Sequence, residues 1–211
     1  MTAAIRLASQ DDAGAIREIY APFCDTSLIS FEYAAPSTLE IASRVRNLAT
    51  SFPWLILESQ GVVAGYAYAS RHHERAGYGW SVDVTVYISP SQHRRGAGRA
   101  LYTTLFQLLR LQGFYKAYAG ITLPNAASTG LHEAMGFQLV GVYKGVGYKF
   151  GGWHDVAHYQ LALQPERAEP TPALPLAMLI GSAGWADALA QGIRCYDDGR
   201  QRSVDTAIEN P

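Results

Sequence analysis

The segment Arg94-Arg95-Gly96-Ala97-Gly98-Arg99 places three guanidinium groups around two glycines. It stands between a stretch of alternating valines and a run of leucines at helical spacing. A turn of this kind, feeding a helix, suits phosphate. The first N–H groups of a helix have no acceptor of their own, and the helix dipole adds positive potential there. Glycine matters because a side chain would keep a phosphate away from the backbone. Taken alone, two glycines before a helix serve an ordinary tight turn equally well. The segment has neither the early GxGxxG with a later acidic residue of a dinucleotide fold nor the Gly-Lys-Ser/Thr end of a P-loop.

Two other positions carry proton chemistry. Asp83 interrupts a strand-like row on the face opposite Val82, Val84, Val86 and Ile88, in company with Thr85 and Tyr87. His132 lies seven residues beyond Asn125 on a short helical stretch, and histidine titrates near neutrality. The pair His72-His73 has no carboxylate or third histidine at metal-ligand spacing and reads as loop. Cys24 and Cys195 are far apart and outside any CxxC pattern, so neither zinc nor a disulfide framework is expected.

The elements that must hold these residues follow from periodicity. Ser9 to Asp12 can cap a helix carrying Ile16, Ile19, Tyr20 and Phe23; Ser37 and Glu40 form a capping box before Leu39, Ala42, Val45 and Leu48. Trp54–Glu58 and Val62–Ala69 flank Ser59-Gln60-Gly61 as a hairpin, and Ser81–Ser89 is the clearest strand. Leu101, Leu105, Leu108 and Leu109 give the next helix its apolar face, stopped by Gly113. Tyr115–Thr122, Phe137–Tyr143 and His154–Leu163 read as further strands, with a short helix at Ala126–Met135. Composition shifts at Gln164. Pro165, Pro170, Pro172 and Pro175 read as a linker, followed by a tail with one short helix near Gly184 to Gly192. The boundaries expected are therefore a domain over residues 1–164 and a linker with tail over 165–211.

The 211 residues, with 48% hydrophobic content, suffice for one sizeable core. Seventeen basic against eighteen acidic residues give a net charge of -1, which argues against general nucleic-acid binding. The first ten residues lack the apolar core of a signal peptide, and the stretch around Leu174 to Ile180 is too short to span a membrane. A cytoplasmic protein is expected.

The segment from Val84 through Ile88 to Gly98-Arg99-Ala100-Leu101-Tyr102 resembles the acetyl-CoA motif Q/R-x-x-G-x-G/A of the GNAT acetyltransferases, with His93 in the slot usual for Gln or Arg. Four more stretches resemble the phosphinothricin and methionine sulfoximine/sulfone acetyltransferase branch. They are Ser30-Phe31-Glu32, Arg75 to Asp83, Leu123-Pro124-Asn125 with Leu131 to Phe137, and Gly147 to Val156. The resemblance covers nearly all of residues 1–164 and leaves the tail outside. It implies an α/β fold with a central mixed, mostly antiparallel sheet flanked by helices, in which acetyl-CoA opens onto a splayed pair of strands.

The resemblance also implies roles. Backbone groups of Val86, Tyr87 and Ile88 would pair with the pantetheine arm, Arg94, Arg95, Gly96, Ala97, Gly98 and Arg99 would hold the diphosphate, and Asn125 would bond an amide of the arm. Asp83 occupies the place of a Glu that helps deprotonate the amine. Being one methylene shorter, it would act through a relay. His132 would serve as base or as proton donor to the thiolate. Phe31, Arg75, Asp83 and Thr85 would line the acceptor pocket, with Arg75 gripping a carboxylate. The implied reaction is direct transfer from acetyl-CoA to a small amino-acid-like amine, without metal, in a homodimer. Two other readings fit the same residues: acetylation of protein or peptide amines, and a non-catalytic acyl-CoA-binding module.

Overall fold

The structure, a computed structural model, describes residues 3–209 and their side chains through Gln201. Seven strands form one sheet in the order β1-β2-β3-β4-β5-β7-β6. They are β1 (Ala4–Leu7), β2 (Trp54–Ser59), β3 (Val62–Arg71), β4 (Ser81–Ile88), β5 (Lys116–Thr122), β6 (Gln138–Lys149) and β7 (Gly152–Ala162). Every pairing is antiparallel except β4 with β5. The mixed, mostly antiparallel sheet expected from the sequence is therefore present. β1 was not anticipated. With four residues, of which Ile5 alone is buried, it carries too short an alternation to stand out.

Helices α1 (Ala13–Asp25) and α2 (Thr38–Leu48) cover one face of the sheet. Ile16, Ile19, Ile41 and Val45 pack there on Trp54, Ile56 and Tyr66. The Ser37 hydroxyl accepts the Glu40 N–H, capping α2 as its sequence required. Helices α3 (Ala97–Gln112) and α5 (Ala183–Glu209) cover the other face, with α4 (Ala126–Ala134) beside them. Leu101, Leu105, Leu108 and Leu109 are fully buried under α3. Gly113 in the left-handed conformation (φ 98°) ends that helix.

The C-terminal segment differs most from its sequence reading. Residues after Gln164 run as a strap held to the domain. Lys116 Nζ reaches Glu166 at 2.7 Å, the Trp80 indole donates to Thr171 O, and the Gln112 amide donates to both Ser51 O and Leu174 O. The helix that follows has 27 residues, where the sequence suggests one short helix near Gly184 to Gly192. Its small residues explain the misreading. Gly192 looks like a stop, yet it lies mid-helix because a Cβ there would sit 2.0 Å from Thr104 Oγ1 and 3.0 Å from Ala100 O on α3. Glycine here serves close helix packing at the expense of helix propensity.

Candidate active site

β4 and β5 pair only over Ser81–Asp83 with Lys116–Tyr118, and then separate. Beyond that point β4 keeps β3 as its partner through Ile88, while β5 keeps β7 through Thr122. Among the described residues, the side of β4 that faces β5 thus has no strand partner along Val84–Ile88, where Ile88 O alone is taken, by His93 Nε2. An extended amide-bearing chain can pair with such an edge as an added strand does. The slot closes at Asp83 and Tyr118 and opens toward Ile88.

The glycine–arginine turn lies at the open end. Gly96 takes a left-handed conformation (φ 80°) as N-cap of α3, and Ala97 is buried beneath it. Ala100 N–H is the first to bond back, to Gly96 O, which leaves the N–H groups of Ala97, Gly98 and Arg99 for an incoming anion. Arg94, Arg95 and Arg99 are exposed around this turn. A Cβ at Gly98 would approach Leu131 Cδ2 to 3.0 Å, so glycine there lets α4 pack closely on α3. His93, the departure from the usual motif, donates from Nε2 to Ile88 O at 3.0 Å and so ties the loop to the strand end. Asn125 Oδ1 caps α4 by accepting Ser128 N–H, a bond that uses the oxygen and not the amide N–H donors of the side chain. These donors and this edge fit a diphosphate joined to an extended amide chain.

Strand alternation sorts the remaining side chains. Asp83, Thr85 and Tyr87 share a face with Ser70, Tyr68 and Tyr66 across β3–β4 and with Tyr118 across β4–β5. His158 and His154 on β7 belong to that same face by register. Phe31 lies over it as well: its ring occupies the space where a Cβ of Gly147 would stand, and it approaches the His154 ring at 6.5 Å. The loop carrying Phe31 is anchored by Lys149, a fully buried residue whose Nζ donates to the carbonyls of Cys24, Ser27 and Ser30. Glu32 is held beside it by Arg44 at 2.7 Å and by the Tyr20 hydroxyl.

Asp83 is half-buried, and its Oδ1 lies 2.8 Å from Nδ1 of His72, the first residue past β3. Burial pushes the Asp83 carboxyl up from the usual range, opposed by the hydrogen bond and charge of His72 and by the charge of His158. The His72 ring stacks on Tyr118 at 4.2 Å and 14°. Local sequence places His72 in a loop; only the β3–β4 register brings it to Asp83.

His132 is elsewhere. It is 4% exposed, and its Nδ1 meets Ser128 O at 2.8 Å. That carbonyl can only accept, so Nδ1 carries the proton and Nε2 accepts from the Tyr102 hydroxyl at 3.0 Å. Burial lowers its pKa and keeps it neutral, partly opposed by the Ser128 carbonyl. Its neighbours Tyr102, Phe137 and Tyr159 belong to the core under α3, and Tyr159 pairs with Ala119, which faces away from Asp83. The structure therefore does not bring Asp83 and His132 together. Arg75 is also apart from Phe31 and Thr85. It is exposed in the β3–β4 loop and lines a cavity of about 330 Å³ with Arg71, Tyr78, Phe114 and Leu174.

Among the described residues, no group of three His, Cys, Asp or Glu could hold a metal ion, and no helix is long and apolar enough to cross a membrane. The family model for an acetyltransferase (GNAT) domain matches residues 5–157. The chain is 38% identical over 175 residues to a phosphinothricin N-acetyltransferase of Streptomyces viridochromogenes, covering 83% of this chain and 95% of that protein. It is 34% identical over 167 residues to an L-methionine sulfoximine/L-methionine sulfone acetyltransferase of Salmonella typhimurium, covering 79% and 97%. The crystal structure of a phosphinothricin acetyltransferase from Sinorhizobium meliloti in complex with acetyl-CoA superimposes with a TM-score of 0.76 at 34% identity, covering 81% and 94%.

Proposed function

The chain belongs to the acetyltransferase (GNAT) family, and on that premise we propose that it transfers the acetyl group of acetyl-CoA directly to the primary amine of a small amino-acid-like substrate, such as phosphinothricin or methionine sulfoximine. One observation carries this reading: β4 and β5 part immediately after Asp83 and Tyr118, beside a glycine–arginine turn at the head of α3.

The diphosphate rests on the N–H groups of Ala97, Gly98 and Arg99, with Arg94 and Arg95 adding charge and Gly96 shaping the turn. The backbone of Val86, Tyr87 and Ile88 holds the extended arm, and the Asn125 amide bonds it from the far side. The co-substrate supplies the thioester; every other part of the step is done by the chain. Phe31 and Thr85 bound the acceptor pocket on the α1–α2 face. Asp83 draws off the ammonium proton at one remove, since its side chain is short and set back between β3 and β5. His132 acts by position: it holds α4, and so Asn125, against Tyr102 of α3.

The GNAT unit is assigned to residues 1–164, and 165–211 to an extension packed on α3. A cytoplasmic homodimer completes the reading, supported by an edge strand and hairpin that expose Val140 (63%), Tyr143 (58%), Phe150 (60%) and Trp153 (69%). Light scattering tests the dimer.

The test of the reaction is thiol release from acetyl-CoA with a panel of small amino acids, their sulfoximine, sulfone and phosphinic analogues, and peptides with free N-termini. Turnover confined to the small acceptors is expected. Turnover with peptides alone would move the acceptor to proteins. Acetyl-CoA binding without turnover on any amine would leave a binding module.

A further inference from the structure

Asp83 must work through an intermediary, and the structure offers one. We infer that Nε2 of His72 is the atom that accepts the acceptor amine's proton, with Asp83 orienting the ring; this rests on the acetyltransferase reading above. Four observations converge. The His72 Nδ1 lies 2.8 Å from Asp83 Oδ1, so the carboxylate takes the Nδ1 proton and fixes the tautomer whose Nε2 has a free lone pair. Among the described residues, Nε2 has no hydrogen-bond partner. The ring is held flat on Tyr118 and edge-on to Tyr78, at 4.2 and 6.1 Å. Asp83 and Tyr118 are the last residues that β4 and β5 share before they splay.

The last point supplies the location. An arm that starts at the head of α3 and follows the free edge of β4 from Ile88 back to Val84 ends where the two strands close. Its terminal carbonyl arrives beside the Asp83–Tyr118 pair on which His72 is stacked. A base within about 3 Å of the amine, oriented by a carboxylate on its other nitrogen, is the general arrangement of an activated imidazole. Among the described residues, no hydrogen bond joins the other titratable groups at this spot, Tyr118, Tyr78, His73 and His158, to a carboxylate, and His158 acts on Asp83 through charge alone.

The step balances without a further reagent. The ammonium group of the acceptor gives one proton to His72 Nε2. The freed lone pair forms the C–N bond at the thioester carbonyl carbon, and the C–S bond breaks with its electrons on sulfur. The surplus proton on nitrogen ends on that sulfur as a thiol, and His72 returns its own to solvent.

The experiment compares wild type, His72→Ala, His72→Gln and Asp83→Asn in the full chain. Glutamine can still donate to Asp83 but cannot take up a proton, so it separates placement from proton transfer. Both His72 variants are expected to lose roughly 10²–10⁴-fold in kcat, with acetyl-CoA affinity by calorimetry changed by no more than about twofold. Added imidazole restores part of the His72→Ala turnover. Long-range proton–nitrogen NMR on the free protein should show the His72 ring protonated at Nδ1. Wild-type kcat in His72→Gln alongside inactive Asp83→Asn would overturn the inference and leave a water as the relay, with the acetyltransferase reading intact. An Nε2-protonated His72 ring would overturn it as well. Wild type that binds no acetyl-CoA would remove both readings together.

Discussion

A Cβ placed on Gly199, in the C-terminal helix, would lie 2.8 Å from the Cα of Gly96 and 3.2 Å from Arg95 O, in the turn that heads α3. The helix outside the family match thus rests against the backbone of the glycine–arginine turn. Tyr196, fully buried one turn earlier, donates to Gln92 Oε1 of the same loop at 3.3 Å.

Gly199→Ala sets two effects against each other. Alanine raises helix propensity by about 1 kcal/mol, but its methyl group meets backbone, which can yield only by moving either α5 or the turn. The clash is expected to win. The predicted outcome is a KM and Kd for acetyl-CoA raised about tenfold, equal to about 1.4 kcal/mol, with kcat little changed. Steady-state kinetics and calorimetry check it, and unchanged cofactor affinity would show that α5 does not support the turn.

Lys149 holds the loop under Phe31 through three carbonyls. Lys149→Met keeps the length of the side chain and removes every donor. Each buried acceptor left unsatisfied costs roughly 1–3 kcal/mol, so a loss of about 3 kcal/mol or more in urea denaturation is expected. The KM for the acceptor should rise more than the KM for acetyl-CoA, because the loop lies on the Asp83 face. A loss below about 1 kcal/mol would mean that water replaces the ammonium group easily.

What the sequence revealed and what it hid divide along the range of the interactions. The valine row of β4, the leucines of α3 and the Gly96–Gly98 turn are local patterns, and each stands where its spacing placed it. His72 with Asp83, Lys149 with Cys24, and Gly199 with Gly96 are contacts between distant segments, fixed by strand register or helix docking. Nothing local in the sequence marks Lys149 as buried; β6 carries it under the loop after α1. Gly192 reads as a helix end until α3 supplies the partner that needs it.

Asp83→Asn should separate stability from activity. The folded-state pKa of Asp83 is raised by burial, so its stabilising contribution is present at low pH and is lost as pH rises through that raised value. At neutral pH the ionised group is a net liability that asparagine removes while still accepting the His72 N–H. The Tm at pH 7 is expected to stay level or rise, with the gain shrinking as pH falls through the raised value toward the ordinary Asp pKa, about 3.9. Meanwhile kcat falls roughly 10²–10⁴-fold. Calorimetric scans at several pH values check the first part, and a clear drop in Tm at pH 7 would contradict it.

His132 gives the opposite sign. Burial depresses its folded-state pKa, so its stabilising contribution is complete above about pH 6.5, the unfolded value, and is lost as pH falls through the lowered folded value. In His132→Gln the Tyr102 hydroxyl must find a new acceptor inside the core. At pH 7.5 the variant is expected to be less stable than wild type by roughly 1–3 kcal/mol. As pH falls toward 5, wild type alone pays the cost of a buried histidine that its unfolded chain would protonate, so the gap must narrow. Urea titrations at both pH values measure this. A gap that stayed constant would mean that His132 ionises as readily in the fold as in the open chain, and its place as a fixed neutral link between α3 and α4 would fail with it.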